Sequence, residues 1–379
     1  MQTHHAVHFQ SSQDMGLIPD GTVDLVVTSP PYPMIEMWDE PLAKADPKIA
    51  SALSAGDGPA AFELMHRQLD GVWAESYRVL RQGGFLCINV GDATRKVKDN
   101  FRLYSNHARI VSHCESLGFQ SLPLILWRKQ TNAPNKFMGS GMLPSGAYAT
   151  LEHEYVLVLR KGGKRDFSEA DAVRRRESAF FWEERNVWFS DMWDLKGTRQ
   201  VLAPNEARSR SAAYPLELVH RLINMYSMQG DLVLDPFLGT GTTAAACVLN
   251  ARNSVGFELL EGFAPLIRET MATMGRVANG AVADRLRAHL SFLEDYHNRT
   301  GKTLGHTSRA YGFPVMTRQE VELQLPGLES LQESLQESGG LQFTAAHSPA
   351  GLDSASKNTP VKVEPRDDDS HQLTMSFDL

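Results

Sequence analysis

The chain has 379 residues, enough for one large domain or two ordinary ones, with 38 basic against 45 acidic side chains and a net charge of −7. The excess sits at one end: residues 321–379 hold ten acids and three bases, so the first 320 are neutral and a nucleic-acid partner is not excluded. Cys87, Cys114 and Cys247 lie in or beside apolar segments without metal-ligand spacing, which predicts reduced thiols in a cytoplasmic protein, no disulfide framework and no metal. No leader segment and no apolar run near the ~20 residues of a membrane span are seen. His4, His5 and His8 read as surface or strand-flanking histidines.

Short apolar strands alternate with helical patterns, which predicts an α/β fold on a parallel sheet. Strands are expected at 6–9, 23–28, 84–90, 123–127, 155–159, 232–235 and 254–257. The second runs into Thr28-Ser29-Pro30-Pro31-Tyr32. Each proline fixes its own φ, lacks an N–H and pushes the preceding residue into an extended conformation. The carbonyls of Ser29 and Pro30 therefore stay out of a helix and can point into a cleft. Ser29 adds a hydroxyl acceptor and Tyr32 a flat ring, a kit for gripping a planar group by its exocyclic amine. The plain alternative is a Pro-rich turn with a buried Tyr.

A loop over 33–60 is placed to touch a target. Phe62, Met65, Leu69, Val72, Trp73 and Leu80 recur at helical spacing, predicting a helix over 62–80 that Gly83-Gly84 ends. The polar, Gly-rich stretch 129–148 predicts a mobile loop near the site. Over 161–210, Lys161, Lys164, Arg165, Arg174, Arg175, Arg176 and Arg185 interleave with Phe180, Phe181, Trp182, Trp188 and Trp193. Such an insertion suits phosphate and base contacts; a solvated helix with packed aromatics is the alternative. Arg174, Arg175, Arg176, Trp127 and Lys129 are the candidate DNA contacts.

Downstream, Asp231-Leu-Val-Leu-Asp235-Pro236-Phe237-Leu238-Gly239-Thr240-Gly241-Thr242-Thr243 is a strand entering a Gly-rich turn and a helix over 244–249. Its glycines admit a ligand close to the backbone, and the helix start offers free N–H groups. Glu258 ends the next strand, where a ribose hydroxyl pair would bind. Alone, Gly239-x-Gly241-x-x-Ala244 also fits a nicotinamide fingerprint or an ordinary tight turn. Setting strand 232–235 beside 23–28 would bring both motifs to one cleft at the strands' carboxyl ends. Beyond residue 326 the repeat Leu328-Glu-Ser-Leu331-Gln-Glu-Ser-Leu335-Gln-Glu-Ser338 and the acidic sequence after it predict a short helix and a disordered tail.

An amine-gripping elbow with an adenosyl pocket resembles the permuted β group of S-adenosylmethionine-dependent bacterial DNA amino-methyltransferases of restriction–modification type. The likeness runs over about 7–263. Arg78-Val-Leu-Arg-Gln-Gly-Gly-Phe85, Asn89-Val-Gly-Asp92 and Pro215-Leu-Glu-Leu218 stand between the two motifs in the family's order. It implies a Rossmann-like methyltransferase fold, circularly permuted, with a mostly parallel sheet and helices on both faces. Residues 1–160 would be the catalytic half, 161–210 an inserted target-recognition region, 211–320 the cofactor half and 326–379 the tail.

The resemblance further implies Ser29, Pro30, Pro31 and Tyr32 as catalytic residues. Asp235, Pro236, Phe237, Gly239, Gly241, Thr242 and Glu258 would hold S-adenosyl-L-methionine. The partner would be double-stranded DNA, with a cognate restriction endonuclease as a candidate second partner. A monomer or homodimer in the cytoplasm, associated with the nucleoid, is expected. Ser at the first motif position is commoner among N4-cytosine enzymes and Asp among N6-adenine enzymes, so N4-cytosine is expected and N6-adenine is the alternative. The target base must flip out of the duplex, and Tyr32 would stack on it. A protein-glutamine methyltransferase normally carries its cofactor motif first. A nicotinamide dehydrogenase leaves Ser29–Tyr32 unexplained, and a non-catalytic scaffold would be expected to lose the elbow or the glycines.

Overall fold

Six consecutive residues, Val23–Thr28, are buried, so this strand must be covered on both faces, as only the middle of a layered α/β sheet allows. The computed structural model describes residues 1–130, 148–197, 214–335, 339–351 and 363–364. In chain order the central strands are β1 (Gln2–Phe9), β2 (Val23–Thr28) and β3 (Leu80–Val90). A side hairpin, β4 (Ala93–Val97) and β5 (Asn100–Tyr104), follows. Then come β6 (Phe119–Ser121), β7 (Ile125–Gln130), β8 (His153–Lys161) and β9 (Met192–Lys196). The second half brings β10 (Leu232–Asp235), β11 (Asn253–Glu258) and a small pair, β12 (His306–Thr307) and β13 (Pro314–Val315). β14 (Pro326–Leu335), β15 (Leu341–Pro349) and β16 (Val363–Glu364) complete the set.

The main sheet is ordered β16-β14-β15-β1-β11-β10-β2-β3-β8-β7-β9. Its five middle strands, β1 to β3 in that order, are parallel, and both flanks turn antiparallel at β15 and β8. Leu25 and Val26 pair with Val233 and Leu234, so the predicted adjacency of the two motif strands holds across two hundred residues of sequence. Val23 and Val26 face a layer that includes Trp73 and Leu69 of the helix Gly58–Val79. Leu25 and Val27 face Leu218, Leu222 and Ile223 of the helix Leu216–Tyr226. The helix expected over 62–80 starts four residues earlier, where the Asp57 carboxylate accepts from the Ala60 N–H at 3.0 Å.

Four expectations are corrected. The segment 33–60 is not a loop: it holds the helices Asp39–Ala45 and Lys48–Ala55 with a local core of Met34, Leu42 and Ile49. His5 lies inside β1, fully buried, with its ring bonded to Ser254 Oγ at 2.8 Å and Thr3 Oγ1 at 3.0 Å, and burial lowers its pKa to about 3. Phe181, Trp188 and Trp193 in the 161–210 segment are buried, so these three aromatics belong to the core; residues 198–210 of the expected target-recognition region lie outside the described residues.

The fourth correction is the tail. In place of the helix expected from 326, β14 and β15 form a hairpin that adds to β1; residues 352–362 and 365–379 of the expected disordered tail lie outside the described residues. Leu328 and Leu331, three apart, suggested a helix. A bulge between Leu328 and Ser330 puts both on the buried face of a strand. Asn279 clamps that bulge, donating to the Leu328 carbonyl at 2.9 Å and accepting from its N–H at 2.8 Å. Leu341, Phe343 and Ala345 of β15 alternate into the same core. Each large apolar side chain buried here contributes ~1.5–3 kcal/mol. Ending the chain after Leu325 is therefore expected to give insoluble protein, or a melting temperature lower by more than ~10 °C, whereas ending it after Gly351, which keeps the hairpin and loses of the described strands only the two-residue β16, should lower melting far less. Equal melting of the two truncated proteins in scanning fluorimetry would remove the hairpin from the cooperative fold.

Candidate active site

The two motifs are joined by one buried carboxylate. Asp235, at the end of β10, is 1% exposed. Its Oδ1 accepts from Thr28 Oγ1 at 2.6 Å and from the Phe237 N–H at 3.0 Å. Its Oδ2 accepts from Thr243 Oγ1 at 2.5 Å and Tyr214 Oη at 3.2 Å. Burial lifts the carboxyl above its ordinary range, against the pull of these donors. Asp235 thus ties the last residue before the elbow to the Gly-rich turn and the helix Thr242–Leu249. With its oxygens so engaged, it holds the shape of the turn.

In the turn, Pro236 is buried, and Phe237, half-buried, meets the Trp73 ring edge-on at 6.1 Å. Gly239 and Gly241 have φ of 54° and 89°, a region where a side chain is strained. Gly241 caps the helix that Thr242 begins, and a Cβ there would lie 3.3 Å from Ile267. Glu258 ends β11, its Oε2 accepting from the Gly239 N–H at 3.0 Å and its Oε1 from the Leu260 N–H at 2.9 Å. Burial raises its pKa to about 7. Gly239, Thr242 and Glu258 keep partly open faces on this side of the sheet.

The elbow leaves β2 directly. Pro30 is buried, while Ser29, Pro31 and Tyr32 are half-buried. Behind it the buried Asn106 amide donates to the carbonyls of Pro33 at 3.1 Å and Gly91 at 2.9 Å. Met34 takes φ of 69°, a costly conformation for a residue with a Cβ, and is held by burial. Tyr32 Oη lies 3.0 Å from Ser29 Oγ, 3.0 Å from Glu154 Oε2 and 2.8 Å from Asn89 Nδ2. Burial, then the nearby Glu154 charge, push the phenol well above its usual pKa, so Tyr32 stays protonated.

Glu154, the second residue of β8, was missed by sequence reasoning. It became legible only once β8 proved antiparallel to β3, which carries its start to the carboxyl end of the parallel strands. Lys129, expected as a DNA contact, pairs with Glu154 and sits 4.8 Å over the Trp127 ring. Trp127 is core: 2% exposed, with its N–H on the Leu195 carbonyl at 3.0 Å. Arg174 bonds Asp171 at 2.7 Å and approaches Asp231 at 3.3 Å. Asp231 precedes β10, so Arg174, Arg175 and Arg176 on their short helix sit at the opposite end of the sheet from the elbow. Of the three, Arg174 is held by acidic partners, and Arg175 lies 4.4 Å over the Phe167 ring. Most of the polar stretch 129–148, from 131 to 147, and the segment 198–213 lie outside the described residues. Among the described residues no cluster suited to a metal occurs, and no helix is long and apolar enough to cross a membrane.

The Thr28–Asp235 bond can be weighed by a cycle of Thr28→Val, Asp235→Asn and both. Each single change should cost ~1–3 kcal/mol in denaturant unfolding, because it strands buried donors or acceptors. The double should cost clearly less than the sum; strict additivity would show that the bond does not couple the two motifs.

A family model for N6 and N4 DNA methylases matches residues 23–269. The Type II methyltransferase M.MthZI of Methanothermobacter thermautotrophicus is 49% identical over 328 residues, covering 86% of this chain and 91% of its own length. M.MjaI of Methanocaldococcus jannaschii is 46% identical over 278 residues, 70% of this chain and 91% of its own. The protein TTHA0409 of Thermus thermophilus, solved in complex with S-adenosyl-L-methionine, superimposes with a TM-score of 0.56 at 32% identity, over 71% of this chain and 94% of its own. Elbow, glycine turn and these likenesses agree: the chain belongs to the N6/N4 DNA methylase family and is a DNA amino-methyltransferase.

Proposed function

We propose that this enzyme transfers a methyl group to the exocyclic N4 of a cytosine flipped out of duplex DNA, within a specific sequence. The methyl donor is S-adenosyl-L-methionine. The observation that carries the reading is the Asp235–Thr28 bond, which sets the elbow beside the glycine turn at the carboxyl ends of β2 and β10. Serine in place of aspartate at the head of the elbow supports cytosine over adenine.

The step is a direct displacement. The amine nitrogen forms a bond to the methyl carbon as the methyl–sulfur bond breaks, and the sulfur keeps the electron pair as a neutral thioether. The surplus proton leaves the nitrogen for solvent. An exocyclic amine is a poor nucleophile because its lone pair is delocalised into the ring. Ser29 Oγ and the Pro30 carbonyl would accept its two N–H groups and help localise the pair toward the methyl. Holding both reactants in line supplies the rest. Buried Cys87, its thiol pushed well up by desolvation, is no nucleophile, and the step needs none. We assign Gly239, Gly241, Thr242, Phe237 and Glu258 to the cofactor, with Glu258 on the ribose hydroxyls. A cognate restriction endonuclease as a second partner, and work in the cytoplasm on nucleoid DNA, belong to the same proposal.

Nucleoside mass spectrometry of DNA from cells expressing the protein is expected to show N4-methylcytosine. N6-methyladenine would reassign the base, and neither product from a cofactor-binding protein would contradict the reading. Tyr32→Ala should lower kcat/KM about ten- to hundredfold through lost base stacking of ~1–3 kcal/mol; an unchanged rate would remove the stacking role. Ribose hydroxyls donate to the ionised Glu258 carboxylate, which titrates near pH 7. Cofactor affinity should therefore fall by up to about tenfold in all as pH drops from 8 to 6. Glu258→Gln should flatten that dependence in calorimetry; a Gln variant with the same pH profile would place the ribose elsewhere.

A further inference from the structure

The polar contacts around Tyr32 have a direction that their chemistry dictates. Glu154 Oε1 takes the Lys129 ammonium, and its Oε2 faces the donors of Tyr32 and Asn89 as an acceptor. The Asn89 amide therefore turns its nitrogen to Glu154 Oε2, at 2.7 Å, and its second N–H to Tyr32 Oη. Tyr32 has one proton, and Glu154 Oε2 at 3.0 Å takes it. Between Tyr32 and Ser29, 3.0 Å apart, the only proton left is that of Ser29. Ser29 donates to Tyr32, and its remaining lone pairs are free for the cleft. Negative charge at Glu154 strengthens each bond along this chain by polarisation.

We propose that Glu154 is a positioning residue which, through Tyr32, makes Ser29 an acceptor only, so that the site admits a base with an exocyclic amine and rejects its keto counterpart. This rests on the methyltransfer reading above and adds the source of its amino selectivity. Glu154 does not touch the base. Gly91 shows how closely the arrangement is fitted: a Cβ there would lie 3.2 Å from the Tyr32 ring and 3.3 Å from the Glu154 Cγ.

The alternative is that Glu154 is a structural partner of Lys129 and Asn89. Glu154→Gln separates the two. A glutamine amide can donate to Tyr32 Oη, turning the Tyr32 proton toward Ser29 and the Ser29 proton toward the cleft.

The test uses the full-length protein and the target base and sequence that it is found to methylate. Two duplexes are compared, one with that base and one with its keto analogue, uracil for cytosine or hypoxanthine for adenine. Each is set opposite an abasic site, so that pairing does not bias flipping. The wild type is expected to bind the amino duplex at least about tenfold more tightly, since a site that hydrogen-bonds an amine leaves its acceptors unpaired against a carbonyl. Glu154→Gln should bind both alike and lose about tenfold or more in kcat, with S-adenosylmethionine affinity and KM for DNA little changed. Tyr32→Phe should erase the preference by itself, and in that background Glu154→Gln should cost nothing further. Should the Gln variant not fold, Tyr32→Phe alone reads the same link. A Gln variant that keeps the preference, or that loses activity equally with and without the Tyr32 hydroxyl, overturns the proposal. A wild-type protein that methylates no DNA overturns the reading beneath it and the proposal together.

Discussion

A buried carboxylate without partners is costly enough to dictate what surrounds it, and Asp235 does so here. Its two oxygens are met by donors from four different parts of the chain: Thr28 from β2, the Phe237 backbone from the turn, Thr243 from the helix after it and Tyr214 from the segment before β10. The elbow and the glycine turn are thus not merely neighbours on adjacent strands. They share one polar knot, and the parallel register of β2 on β10 sets its height. The order of the two halves along the chain then matters little, because the sheet, not the sequence, makes them adjacent.

Around that knot the molecule divides its labour by sheet end. Carboxyl ends carry Ser29, Tyr32, Glu154, Gly239 and Glu258, with strained or left-handed backbone at Met34, Gly239 and Gly241. Amino ends carry ion pairs: Arg165 with Asp24 and Asp231, and Arg174 with Asp231 and Asp171. Those pairs neutralise charges near strand starts and leave the chemistry to the other end, as open α/β sheets commonly do.

Much of this was legible in the residues. A run such as Leu25–Val27, apolar on both faces, has only one home in an α/β domain, and the spacing of Met65, Leu69, Val72 and Trp73 has only one in a helix. What escaped depended on partners far away in the chain. Arg174 reads as a free cation until Asp231 is found beside it. Glu154 reads as a strand-edge acid until β8 is known to run antiparallel. Leu328 and Leu331 read as helical until a bulge clamped by Asn279 restores their common face. His5 looked solvated because nothing local reveals that Ser254 and Thr3 will receive its nitrogens.

The central claim is geometric: the elbow and the cofactor turn serve one reacting centre. A crystal structure of the protein with S-adenosylmethionine bound tests it most directly. The account predicts the adenosine between Phe237 and Glu258, with the methyl group about 3–3.5 Å from where an amine held by Ser29 Oγ and the Pro30 carbonyl would sit. A sulfonium bound well away from Ser29, or a ribose that ignores Glu258, would contradict it.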